Sequence, residues 1–231
     1  MKNFLLFVLL TCAPAANAGQ AQEWLKKVEG SHDLAPGNVK QKYLHFDFSD
    51  LIKPKHAFLG YIGADYQRLN ISFSSATKSA EHPELYLIEG KAASGTDACA
   101  FSGTIKIDRI REYAKMHFGV DNAYKDKGIQ AQGFVIANYE FHESGCENSG
   151  ILSGVMTSSW YLDKDGAVRY DDIGKDSDSY SNNQYVGVWR SAGGKSRKPA
   201  NWGEFRIPFS GDLDIGSGDF GANPKYKDRG W

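Results

Sequence analysis

Residues 151–172 read "ILSGVMTSSWYLDKDGAVRYDD", and their spacing decides the fold class. Leu152, Met156, Trp160 and Leu162 all fall at even positions, so an extended chain carries them on one face. "DKDG" at 163–166 then supplies turn chemistry between "SSWYL" and "AVRYDD", the signature of a β-hairpin. The same alternation recurs upstream. "RLNISFSS" sets Leu69, Ile71 and Phe73 against Asn70, Ser72 and Ser74, and "FSGTIKID" sets Phe101, Ile105 and Ile107 against Ser102, Thr104 and Lys106. "ESGCENSG" at 143–150 joins "FVIANYEF" to "ILSGVM" as a second turn. Short consecutive strands leave little room for crossover helices, which argues against a parallel α/β sheet. The expectation is an all-β, mainly antiparallel chain of nine or ten strands with one or two short helices.

Glycines narrow the architecture. Gly60, Gly90, Gly103, Gly133, Gly154 and Gly187 each interrupt a strand-like run. Glycine weakens a strand, so its repetition points to sharp bends or close backbone approach, as a small closed barrel requires. A small β-barrel is therefore favoured over a β-sandwich, in which the same glycines would mark bulges. Two stretches read as helices. "AQEWLKKVEG" turns Trp24 and Leu25 inward before "LAPGN" breaks it. In "DRIREYAKMHFG", Asp108 stands at a cap position, Ile110, Tyr113, Ala114 and His117 share a face, and Gly119 ends the run.

The start of the chain has a different character. Lys2, the apolar run "NFLLFVLL" and the small residues Ala16 and Ala18 describe a secretory signal peptide cleaved after Ala18. The expected organisation is a signal peptide over 1–18, an entry segment over 19–43 and a single β domain over 44–231. Export to the periplasm or the exterior follows, with a lipid anchor at Cys12 as the alternative, although Thr11 stands where that signal wants a small residue. Cys99 and Cys146 remain as an even pair, which in an oxidising compartment suggests a disulfide.

Composition excludes several functions. Formal net charge is −1 over the 231 residues, and removal of Lys2 with the leader makes it −2. With no long basic run, nucleic acid is not an expected partner. No stretch after the leader has the length of a transmembrane helix. G-x-S-x-G is absent, and the six histidines form neither H-E-x-x-H nor H-x-H. "DSDSYSNN" at 176–183 opens like a calcium loop, but Ser181 and Gly187 occupy the positions that need Gly and Glu. "DLDIGSGD" at 212–219 likewise lacks the glutamate. No cofactor is expected, and Ca²⁺ is not favoured.

Two groups of residues remain as candidates. Trp160, Tyr185 and Trp189 are the aromatics expected to meet a small apolar or glycan-like ligand in the barrel mouth. Glu204, Asp212 and Asp214 lie across "NWGEFRIPFSGDLDIG" (201–216) as a candidate cation site. Read as a hairpin, a three-residue loop pairs Arg206 with Asp214 and gives a solvated face. A five-residue loop crowds Glu204 against Asp214 and invites a cation. Acids beside aromatics, Asp171 and Asp172 next to Tyr170 and Glu204 near Trp202, also admit a hydrolase working through a carboxylate pair.

"FLGYIGADYQRLNISF", "YEFHESG", "YLDKDGAVRYDDI" and "NWGEFRIPFSGDLDIGSGDF" resemble segments of a group of uncharacterised exported bacterial proteins. The similarity runs from about residue 56 to the end and implies a bacterial, exported origin with no attached activity. The sequence therefore supports a non-catalytic binding protein, with a secreted glycosidase-like hydrolase or a structural envelope protein as alternatives. Oligomeric state is not legible in it.

Overall fold

The computed structural model describes residues 18–231 apart from Pro54; almost all of the expected leader, with Cys12, lies outside the described residues. Three helices open the chain: α1 (Ala18–Ser31), α2 (Lys40–Tyr43) and α3 (Ser49–Ile52). Nine strands follow, β1 (Leu59–Ile62), β2 (Gln67–Lys78), β3 (Leu85–Ser94), β4 (Asp97–Glu112), β5 (Ala131–Ser144), β6 (Gly150–Leu162), β7 (Val168–Tyr170), β8 (Asn182–Ser191) and β9 (Arg197–Glu204). All pairings are antiparallel, in the order β5-β4-β3-β2-β1-β9-β8-β6, and β5 pairs with β6 to close an eight-stranded barrel. β7 adds to β6 outside that ring, with Trp160 opposite Tyr170. Closure leaves no long edge exposed to another chain.

The alternation read from the sequence is the inside–outside alternation of this barrel. Leu152, Met156, Trp160 and Leu162 join Phe73, Phe101, Ile105, Phe141 and Trp202 in one core. That core is largely aromatic. Tyr185 and Trp202 stack at 4.9 Å, Phe101 and Phe141 stack at 4.9 Å, and Phe73 meets Tyr185 edge-on at 5.9 Å. Each such pair adds about 0.5–1.5 kcal/mol beyond the area it buries. The strand glycines make the room. Gly154 sits opposite Gly187, where a Cβ on Gly187 would come 2.4 Å from the Tyr139 hydroxyl and 2.2 Å from the Ser153 carbonyl. The barrel is filled by its own side chains.

One end is closed. Tyr43, Phe48, Leu51 and Ile52 are all buried over it, and Tyr43 packs edge-on against Trp160 at 4.6 Å. Lys78 Nζ donates to the Leu44 and Phe46 carbonyls at 2.6 and 2.5 Å, and the Phe48 N–H donates to the Tyr86 hydroxyl at 3.0 Å. The helix expected at the start of the domain forms as α1, and it lies on the outside of the barrel. Trp24 and Val28 are buried there against Phe134, Ile136, Val155 and Val186, while Leu25 is half-buried.

The second predicted helix is not formed. β4 runs as strand through Glu112, Tyr113 bridges to Leu34, and the next helical turn is a 3-10 turn at Val120–Asn122. A bulge breaks period two where that stretch begins: the register against β5 shifts between Ile107 and Arg109, and Ile107 and Ile110 both reach the core. Beyond it Tyr113 packs beside α1 and His117 pairs with Asp171, so the helix-like spacing of Ile110, Tyr113 and His117 joins three separate environments.

Candidate functional site

At the end opposite α2 and α3 the strand termini enclose a basin of about 650 Å³. It is lined by the ends of β1, β3, β5 and β8 and the starts of β2, β4 and β9. Trp189, Glu143, Asp97, Asn148 and Lys198 supply its chemistry. The Cys99–Cys146 disulfide is formed at this rim, with Cα atoms 5.2 Å apart, and Cys99 lines the basin. It ties the start of β4 to the turn between β5 and β6, the turn expected at 143–150.

Each side chain here is positioned by its neighbours. Trp189 lies two residues from the end of β8, across from Leu152, and its indole covers Gly150 so closely that a Cβ there would come 2.5 Å from Nε1. Nε1 donates to Glu143 Oε2 at 2.8 Å, and the Gly150 N–H donates to the same oxygen at 2.9 Å. Burial pushes the Glu143 carboxyl above its ordinary pKa against these two donors, and the charge of Asp97 adds to the rise. Lys198 Nζ stands 5.7 Å from the Trp189 ring centroid. Asn148 Nδ2 donates to Asp97 Oδ2 at 2.9 Å. With Asp65 and Gln67 also on the lining, an indole, three carboxylates, two amides and an ammonium group converge on one basin.

The other expected residues lie elsewhere. Trp160 and Tyr185 are fully buried in the barrel core, and neither lines the basin. The expectation that they meet a ligand at the mouth fails because both are packed among core side chains. Of the three aromatics, Trp189 alone reaches the basin.

The 201–216 stretch makes no hairpin. β9 ends at Glu204, and the chain continues through turns and a 3-10 turn at Gly211–Leu213. The three carboxylates therefore diverge. Glu204 is buried at the closed end, accepting from the His56 N–H at 2.7 Å and from Asn183 Nδ2 at 2.8 Å. Burial raises its pKa, and the Tyr170 hydroxyl beside it makes no aligned hydrogen bond among the described residues. Asp212 accepts from Tyr226 at 2.6 Å and pairs with Lys225 at 2.9 Å. Asp214 holds Arg206 at 2.6 Å, the ion pair expected from the shorter loop, but both side chains are largely buried rather than on a solvated face. Arg206 Nη1 also donates to the Gly216 carbonyl at 3.2 Å, and its Nη2 to Gly218. No group of three or more His, Cys, Asp or Glu able to hold a metal occurs among the described residues.

Sequence reading missed Asp97, Glu143, Asn148 and Lys198. Their one signal is position: each lies at or beside a strand end where the barrel opens, Glu143 at the end of β5 and Asn148 in the turn after it. No family model, curated protein or solved structure matches the chain. Among the described residues, no helix is long and apolar enough to cross a membrane.

Proposed function

We propose that this chain is a non-catalytic binding protein whose barrel mouth takes a small, glycan-like ligand. The observation that carries this reading is the pairing of Trp189 with Glu143, Asn148 and Lys198 in a basin of about 650 Å³ above a filled barrel. An indole face offers stacking for a sugar ring, while amide, ammonium and carboxylate groups match its hydroxyls. The polar rim favours a glycan-like ligand over an apolar one. Export of the chain, with the disulfide as support, would place the site where free glycans occur.

The test is calorimetric titration with cellobiose, maltotriose, chitobiose and a galacturonic acid oligomer. One or more should bind, and Trp189→Ala should weaken that binding at least about tenfold with the fold intact. Absence of binding by all four overturns the glycan reading. A second reading, a hydrolase, is favoured by one observation: Glu143, with its raised pKa, shares the basin with Asp97. Release of reducing ends from a bound oligomer, abolished by Glu143→Gln, would establish it. Binding without turnover supports the non-catalytic role.

A further inference from the structure

A second cavity, of about 360 Å³, lies on the outer wall of the barrel, beside the C-terminal end of α1. An adjoining cleft of about 200 Å³ shares Ser31, His32, Ser159 and Ser181 with it and extends it beneath α1. Its floor is Asp171, whose side chain is 3% exposed. One carboxylate oxygen, Oδ1, accepts from the Ile173 N–H at 3.1 Å. The other, Oδ2, is buried and has no aligned hydrogen-bond donor among the described residues. His117 Nε2 stands 3.2 Å from it, on a side chain that is 46% exposed.

The surroundings are built rather than incidental. Buried Gln132 clamps the His117 backbone from both sides, accepting its N–H and donating to its carbonyl at 2.7 Å each. Tyr113 and Ser159 share a hydroxyl hydrogen bond of 2.7 Å, and Tyr180 closes the far wall. The charged and titratable groups around the carboxylate are His32 and Asp33 after α1, Tyr113, Lys115 and His117 on one loop, and Tyr180 on another.

A buried carboxylate needs a positive or strongly donating partner, because an uncompensated charge in such a place is costly. A neutral His117 can still donate its Nε2–H to Asp171, but only a protonated ring supplies the compensating charge. Once the imidazole is neutral, Asp171 and Asp33 face the cavity against Lys115, with Lys27 in the adjoining cleft, and the Tyr113 and Tyr180 rings line its sides. We propose that this groove is a second binding site, for a small organic ammonium ion seated on Asp171 between Tyr113 and Tyr180. The carboxylate of Asp171 raises the His117 pKa, so a proton on His117 competes with the ligand for the same charge.

The probes are benzylamine and its neutral counterpart benzyl alcohol, titrated into the full chain by calorimetry at about pH 8, where an ordinary imidazole is neutral. Benzylamine should bind at one site per chain, at least about tenfold more tightly than benzyl alcohol, as a charge-assisted hydrogen bond requires. Asp171→Asn should remove that preference, and lowering the pH should weaken the amine. Equal binding of the two probes, or no binding of the amine, overturns the proposal. Should Asp171→Asn fail to fold, the His117 titration in the unaltered protein, followed by NMR, decides: its midpoint should fall in saturating benzylamine, and an unchanged midpoint overturns the site. Trp189→Ala should leave amine binding unchanged, so failure of the mouth reading is distinguishable from failure of this one.

Discussion

The two ends of the barrel are held by different physics. At the closed end, apolar side chains from α2 and α3 cover the opening, and Glu204, Asn183 and the Leu51 carbonyl form a buried polar knot beneath them. At the open end, among the described residues, no α-helix covers the strand termini, and a covalent bridge between Cys99 and Cys146 takes over. Packing demands side chains that fill space. A disulfide constrains the chain without filling it, so the open end can keep a basin and remain ordered. The difference leaves a filled barrel with an open basin at one end.

The contrast is open to direct attack. Trp160→Ala removes the largest side chain under the cap and should cost about 3–5 kcal/mol in urea unfolding, because the closed end cannot collapse around the cavity. A smaller effect than that of Trp189→Ala would erase the distinction between the ends. Replacing Cys99 and Cys146 together by Ala should cost up to about 4 kcal/mol in the chain-entropy account. Amide exchange should rise at the mouth strands and stay low at Tyr43, Phe48 and Leu51. Uniform exchange would show that the disulfide does not act on one end.

Glu204 gives the contrast a pH dependence. Its folded pKa is raised, so its favourable contribution is complete below the ordinary carboxylate range and is lost as pH rises through the higher folded value. Relative to Glu204→Gln, the unaltered protein should therefore lose stability across that window on going up in pH. Melting temperatures of the two proteins that run parallel with pH would contradict it. The smallest stability effect belongs to Trp189→Ala, about 1 kcal/mol or less for a half-buried rim residue, read from the same urea titration. A larger loss would make Trp189 a structural support instead of a recognition surface.

The strands and their hairpins were legible because one face of each is buried, and burial imposes period two. The stretch 108–119 shows where that legibility fails, because β4 runs on to Glu112 past a bulge. A bulge shifts the phase, and a single sequence carries no mark of the extra residue. The site was legible in part for a related reason. Alternation places Tyr185 and Trp189 on one face, yet gives no height along the barrel axis, and height separates a core residue from a mouth residue. The acids at 204, 212 and 214 were misjudged because Arg206, Lys225 and Tyr226 claim Asp214 and Asp212 through contacts made only after the last segment folds back. Asp171 and His117 lie 54 positions apart in sequence and meet only through the barrel wall.

The central claim, that recognition occurs at the mouth because the interior is full, is tested most directly by amide chemical shifts during titration with the sugars named above. The account predicts perturbations confined to Asp97, Glu143, Asn148, Trp189, Lys198 and their neighbours, with Tyr43, Phe48 and Leu51 unmoved. Perturbations centred on Trp160 and Tyr185, or none with any sugar, would contradict it.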